Sequence, residues 1–270
     1  MNLKLSIEKY SKYKTWNEFF PDGKVKLSKI AHNSSWDNMF EQLFKNPKCQ
    51  HTEKVLSDEL KVDKNVLMHP APELVFNAFL LTPLNKVKVV IIGQDPYFDH
   101  EEYNDVLVHQ AMGLSFSVPH GVKIPSSLDN IYKNMITHGQ IKTRPTHGNL
   151  EFLALQGVLW LNSSLTVKDG KDNKNCHQKC WTWFTDEIIK YISANTKGVV
   201  FVLWGQDAIG KMSLIDIDEP DHEIIASSHP SGLSCANSSG SYPPFNNVDQ
   251  FGKINKYIEK HKKQTIVWQL

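Results

Sequence analysis

The chain has 270 residues, 40% hydrophobic and 22% charged, which is enough to bury a sizeable core and excludes a disordered or fibrous protein. Against 30 Lys and Arg stand 29 Asp and Glu, a formal net charge of +1, so the strongly basic signature of many nucleic-acid-binding domains is absent. No apolar run reaches membrane-spanning length, and the opening MNLKLSIEKYSKYK interleaves Lys and Glu where a secretory signal has an apolar core.

In chain order, residues 1–30 read as an N-terminal extension with a helical pattern, in which WNEFF has helix-like spacing. A single domain is expected over 31–270. SWDNMFEQLF continues the helical pattern, and KVKVVIIG (86–93) is the first apolar run short enough for a buried strand. PSSLDNIYKNMI follows, with Ser126 three residues before Asp129 as a capping box would have it and Pro125 just outside. GVLWLN (157–162) is a second strand, WTWFTDEIIKYISAN an amphipathic helix and GVVFVLWG (198–205) a third strand. HEIIASSHP (222–230) is the fourth strand, and FGKINKYIEKHKK is a closing helix.

Strands alternating with helices favour a parallel sheet, because a parallel crossover needs a long connection. The expected fold is therefore a three-layer α/β/α with a central four-stranded, mainly parallel sheet. Its strands end in Gly93-Gln94-Asp95, in Asn162, in Gly205-Gln206 and in Ser228-His229-Pro230. Open parallel sheets bind ligands beyond the carboxyl ends of their strands. A carboxylate, an amide, a glycine and an imidazole meeting on one edge make a site, although Gly, Asp, Asn and Pro are each common turn formers.

Cys49, Cys176, Cys180 and Cys235 contain no CxxC pair, which favours a reducing, intracellular setting, either nucleus or cytoplasm. Cys176, His177 and Cys180 could offer three zinc ligands, but four-ligand spacing with a second cluster is missing, and ordinary packing and surface roles are expected of them. The phosphate-loop and dinucleotide glycine patterns are absent, which argues against a nucleotide-binding enzyme.

GQDPY (93–97), GLSFSV (113–118), LNSSLTV (161–167), LWG (203–205) and HPSGLS (229–234) resemble, in order and approximate spacing, the motifs of family 1 uracil-DNA glycosylases. The resemblance runs from about Trp36 to Trp268 and implies removal of uracil from single- and double-stranded DNA by cleavage of the N-glycosidic bond, with no metal or organic cofactor. By motif position, Asp95 would position or activate water and stabilise positive charge on the sugar. His229, as a neutral imidazole, would donate a hydrogen bond to uracil O2 as the base departs. Asn162 would read the O4 and N3 edge, Phe116 would stack on the base, Gln94 would frame the O2 side through its backbone, and Tyr97 would exclude the methyl group of thymine. Leu233 would enter the minor groove behind the flipped nucleotide. Ser126, Ser127, Gly205, Ser231 and Ser234 would grip the phosphates. The family further implies a protein inhibitor or replication proteins as partners, and a monomer is expected.

The pattern breaks in several places. Phe98 stands where the family has His after GQDPY, and the acidic segment FDHEEYNDVLVHQAM (98–112) is longer than usual by about a turn or two of helix. His100 or His109 could supply the missing imidazole from that segment. Gly232 replaces a usual Pro beside Leu233, and CANSSGSYPPFNNVDQ replaces a short segment containing Tyr and Arg. These departures motivate an alternative, a catalytically weak homologue serving as a DNA-binding or replication-associated adaptor.

Overall fold

The computed structural model describes residue 13 and residues 15–103, 106–218 and 221–270. The central sheet is built from β2 (Val89–Gly93), β5 (Val158–Asn162), β7 (Val200–Trp204) and β8 (Glu223–Ser227), in the order β5-β2-β7-β8, with every pair parallel. The first three strands are buried along their whole length, which is why they read as unbroken apolar runs. The fourth is an edge strand and alternates toward solvent. This is the expected three-layer α/β/α fold, and each strand is shorter than its apolar run by one to a few residues.

The connection from β2 to β5 runs one way along the sheet, and the connection from β5 to β7 passes back across β2. Right-handed crossovers therefore place their helices on opposite faces and open a crevice at the carboxyl end of β2. Among the described residues the α-helices are, in chain order, α1 (Trp16–Phe19), α2 (Asp37–Lys45), α3 (Pro47–Val62), α4 (Asn77–Leu81), α5 (Ser126–Thr137), α6 (Glu151–Leu155), α7 (Gln178–Asn195), α8 (Gln206–Ile209) and α9 (Gln250–Lys260). Helices α2 and α3 pack with α7, and α5 packs with α9.

Two small antiparallel ribbons flank the sheet. β1 (Met68–His69) pairs with β6 (Val167–Lys168), and β3 (His100–Tyr103) pairs with β4 (Val106–His109). The extra length in 98–112 is thus a hairpin. Its Val108 packs with Val118, Val122 and the ring of Tyr97 in a small apolar cluster apart from the main core.

The packing of the main core runs on across residue 30. Trp16, Phe20, Val25, Leu27 and Ile30 are all buried in the main core, and the Trp16 indole N–H donates to the carbonyls of Met68 and Pro70, each at 3.1 Å. Large aromatics bury much apolar area, so this segment contributes to the fold. The rest of the presumed extension, residues 1–12 and 14, lies outside the described residues. The capping box at Ser126 does not form either. Ser126 is already helical, Pro125 takes the cap position with no side-chain bond, and Asp129 turns to Arg144 and Lys133 at 2.6 and 2.8 Å.

Candidate active site

Beyond the carboxyl ends of the strands lies a cleft of about 500 Å³. It is lined by Gln94, Asp95, Tyr97, Phe116, Asn162 and His229, the groups singled out for chemistry and base recognition. Ser127, Gly205, Ser231 and Ser234 also line it. Ser126 and Leu233 do not. Ser126 is exposed at the start of α5, and the Leu233 side chain is 92% exposed on the loop after His229.

The sheet register fixes the first contact. Gly93 pairs with Asn162 across β2 and β5, and a Cβ at Gly93 would lie 2.3 Å from Asn162 Oδ1 and 2.8 Å from Ser115 Cβ. Glycine is therefore required at 93 for the amide to sit where it does. Past the strand, the backbone N–H groups of Ser163 and Ser164 donate to the carbonyls of Gly93 and Gln94 at 2.9 and 3.0 Å, so the two strand ends continue as a joined pair.

Asp95 follows in a half-buried position. The Asn175 backbone N–H donates to its Oδ2 at 2.5 Å, while its Oδ1 is buried and has no protein partner. Burial raises the carboxyl pKa to about 6, opposed by the Asn175 hydrogen bond and the nearby Lys174 ammonium. Asn175 reaches Asp95 from a left-handed conformation, φ 62°, which asparagine tolerates better than most residues.

His229 is held by its own loop. The Ser231 backbone N–H donates to His229 Nδ1 at 3.0 Å, so in the neutral ring the proton resides on Nε2. Burial, reinforced by the positive charge of Lys174, lowers the imidazole pKa to about 4. The ring is neutral at physiological pH, with a single N–H donor on the side away from Ser231. Gly205, φ 86°, lets the third strand end pass close by, since a Cβ there would come within 3.0 Å of His229 Cβ.

Phe116 forms the aromatic wall. Its φ is 62°, a left-handed conformation that is costly for a bulky residue, and its carbonyl accepts from Tyr97 Oη at 3.2 Å. Its ring centroid lies 5.5 Å from that of Trp204 and 5.8 Å from that of His229. The side chain of Gln94 donates to Asp207 Oδ2 at 2.6 Å. Phe98 is in the cleft wall, but His100 and His109 are not, so neither takes the place of an imidazole after Tyr97.

The loop after Ser234 is anchored rather than merely appended. Phe245 is fully buried with its ring 5.2 Å from Trp204, the Phe245 backbone N–H donates to Ser228 Oγ, and Ser228 Oγ donates to the carbonyl of Ser234. Gln206, in the cleft wall, donates to Ser239 Oγ at 2.9 Å.

A family model described as the uracil DNA glycosylase superfamily matches residues 80–259. The chain belongs to this superfamily. It is 36% identical over 269 residues to a probable uracil-DNA glycosylase of Acanthamoeba polyphaga mimivirus, covering 96% of this chain and 70% of the relative. It is 44% identical to the uracil-DNA glycosylase of Psychromonas ingrahamii, covering 79% of this chain and 90% of that one. The crystal structure of the mimivirus uracil-DNA glycosylase superposes with a TM-score of 0.89 at 35% identity, covering 98% of this chain and 99% of the other. A tyrosine-to-leucine variant of the mimivirus enzyme in complex with UGI gives 0.88 at 37% identity, with 97% of both chains covered.

Within this superfamily framework, Lys174, Asn175 and Asp207 belong to the site although the sequence did not mark them. Lys174 and Asp207 line the cleft and bias both Asp95 and His229, and Asn175 holds Asp95. The only local signal was an Asn in a polar turn ahead of a helix, which is common elsewhere.

Proposed function

We propose that the chain is a DNA repair hydrolase of the family 1 type, cleaving the N-glycosidic bond of a flipped-out deoxyuridine to release uracil and leave an abasic site. The observation that carries this reading is the neutral His229, with Nδ1 occupied by Ser231 and Nε2 the remaining donor, in one cleft with Asp95 and Asn162.

A base attacked at its sugar bond must leave the stack and be read in a pocket. In the proposed complex, uracil lies on Phe116 with its O4 and N3 edge on Asn162, whose amide offers both an acceptor and donors. Cytosine presents the reverse pattern. Tyr97, fixed through its hydroxyl to Phe116 and backed by Val108, stands as the barrier to a 5-methyl group. As the glycosidic bond breaks, electrons pass to the base and negative charge gathers on O2. The His229 Nε2–H stabilises that charge without transferring its proton, since a pKa of about 4 makes the ring a hydrogen-bond donor that needs no protonation. The sugar becomes cationic, and the free Oδ1 of Asp95 holds the water that adds to it.

On the outer surface, Leu233 is free to enter the duplex as an apolar wedge, which offsets part of the cost of unstacking. Ser126, Ser127, Ser231 and Ser234 would contact phosphates without adding charge, consistent with the net charge of +1. An inhibitor protein of the UGI type is proposed for the same face, by likeness to the mimivirus complex. The working unit proposed is a monomer inside the cell. The adaptor alternative gains no support, because the groups required for turnover are together and polarised.

The test is single-turnover release of uracil from a single-stranded oligonucleotide. Release by the wild type, with losses on the order of 10²-fold or more in Asp95→Asn and His229→Ala, is expected. A folded wild type that binds the DNA and releases no uracil would leave the adaptor.

A further inference from the structure

The hairpin does more than lengthen the chain after Tyr97. His69 ends β1, His100 opens β3 and Asp169 follows β6, and these positions are far apart in sequence. Asp169 Oδ1 lies 2.8 Å from His69 Nε2 and 2.7 Å from His100 Nδ1, and the three donor atoms fall within 4.8 Å of one another. The His69 side chain is fully buried, while those of His100 and Asp169 are 28% and 33% exposed, so the group has a protected back and an open front.

The surroundings hold His69 and Asp169 in place. His69 Nδ1 is 2.7 Å from His109 Nδ1, and His109 faces His100 across the hairpin. Metal-bound histidines generally engage their second ring nitrogen in this way, which fixes the orientation of the ring. The Asp169 backbone N–H donates to the Leu67 carbonyl and that of Gly170 to the Phe98 carbonyl, both at 2.9 Å. The Asp169 turn is therefore tied to β1 on one side and to the cleft wall on the other.

We infer that His69 Nε2, His100 Nδ1 and the Asp169 carboxylate form a site for one divalent ion of the zinc class, with water as the fourth ligand. Two imidazoles and one carboxylate suit Zn²⁺ or Co²⁺, whereas Mg²⁺ and Ca²⁺ favour oxygen donors. Metal bonds of ~2.0–2.2 Å in a tetrahedron space the donors roughly 3.3 Å apart. Binding thus requires the two N···O pairs to open by about half an ångström and the two imidazole nitrogens, which lie within 4.8 Å of each other, to close by up to ~1.5 Å, a movement that falls to the partly exposed His100 and Asp169 side chains. With the ion bound, His69 carries its proton on Nδ1 and donates it to His109 Nδ1.

The ion plays no part in bond cleavage. It clips the hairpin to the body of the protein, and the hairpin carries Val108 against the ring of Tyr97. The site is thereby a support for one wall of the cleft.

The experiment uses untagged full-length protein, stripped with EDTA, dialysed, and titrated with Zn²⁺ by calorimetry, with Co²⁺ absorption as a spectroscopic check. One equivalent of Zn²⁺ is expected, with affinity reduced about 10²-fold or more in His100→Ala and Asp169→Asn. At 100 times the dissociation constant, Zn²⁺ should raise the wild-type Tm by about 5 °C and leave His100→Ala unmoved. Cys176→Ser should bind as the wild type does. The inference is overturned by wild-type affinity weaker than about 10 μM, by equal binding in wild type and His100→Ala, or by loss of binding in Cys176→Ser alone. His100→Ala alters only a partly exposed hairpin residue, and Asp169→Asn gives a second variant should the hairpin distort.

Discussion

Replacing Asp95 by Asn should make the protein more stable while removing its activity, and the gain should depend on pH. In the fold the carboxyl pKa stands at about 6 against an ordinary 3.8, because burial disfavours the charged form. A group raised in the folded state stabilises the fold below the unfolded pKa and loses that contribution as pH rises through the folded one. The span between the two values corresponds to roughly 3 kcal/mol, which solvent at this half-buried position reduces to about 1.5 kcal/mol. Asn keeps an oxygen to accept the Asn175 N–H. Urea unfolding of both proteins should therefore show the variant ahead by about 1.5 kcal/mol at pH 8, by about half as much at pH 5, and level with the wild type below pH 4. An equal gain at pH 5 and pH 8, or a loss at pH 8, would refute the assignment of burial as the dominant influence on this carboxylate.

The other predictions concern the same cleft. Single-turnover rate against pH should rise with one limb near pH 6, from ionisation of Asp95, and stay level above it, because His229 is already neutral above about pH 4; a limb near 4 alone would contradict this. Gly93→Ala should cost roughly 1–3 kcal/mol in stability and displace Asn162, so thermal unfolding and uracil affinity should fall together. Leu233→Ala should change stability by less than about 0.5 kcal/mol, yet lower turnover on double-stranded uracil DNA far more than on single strands. Tyr97→Ala should admit thymine, measured as excision from a T·G duplex that the wild type leaves intact.

The sheet was legible because three of its strands are buried on both faces, so that hydrophobicity alone marked Val89–Ile92, Val158–Leu161 and Val200–Leu203. The cleft was legible because parallel order sends every strand end to one edge, and Asp95, Asn162 and His229 each sit there. What escaped was tertiary. The hairpin hides behind acidic residues that break its alternation, and Ser126 has the sequence of a cap while Arg144, distant in the chain, claims Asp129. Lys174 and Asp207 act on Asp95 and His229 only through space, and no spacing in the sequence announces that.

The burial of Trp16 and Phe20 bears on how the protein can be cut. The segment matched by the family model, residues 80–259, leaves out Trp16, Phe20, Trp36, Phe40, Phe76 and Trp268, all buried in the same core. Phe40 and Phe76 pack edge to face at 4.8 Å, and Phe76 stacks on Phe184 of α7 at 5.7 Å. The segment that the family model matches is thus smaller than the unit of folding. A fragment cut to residues 80–259 would carry every residue that lines the cleft and lack the aromatic floor on which α7 rests, so expression boundaries and fusion points belong before Trp16 and after Trp268.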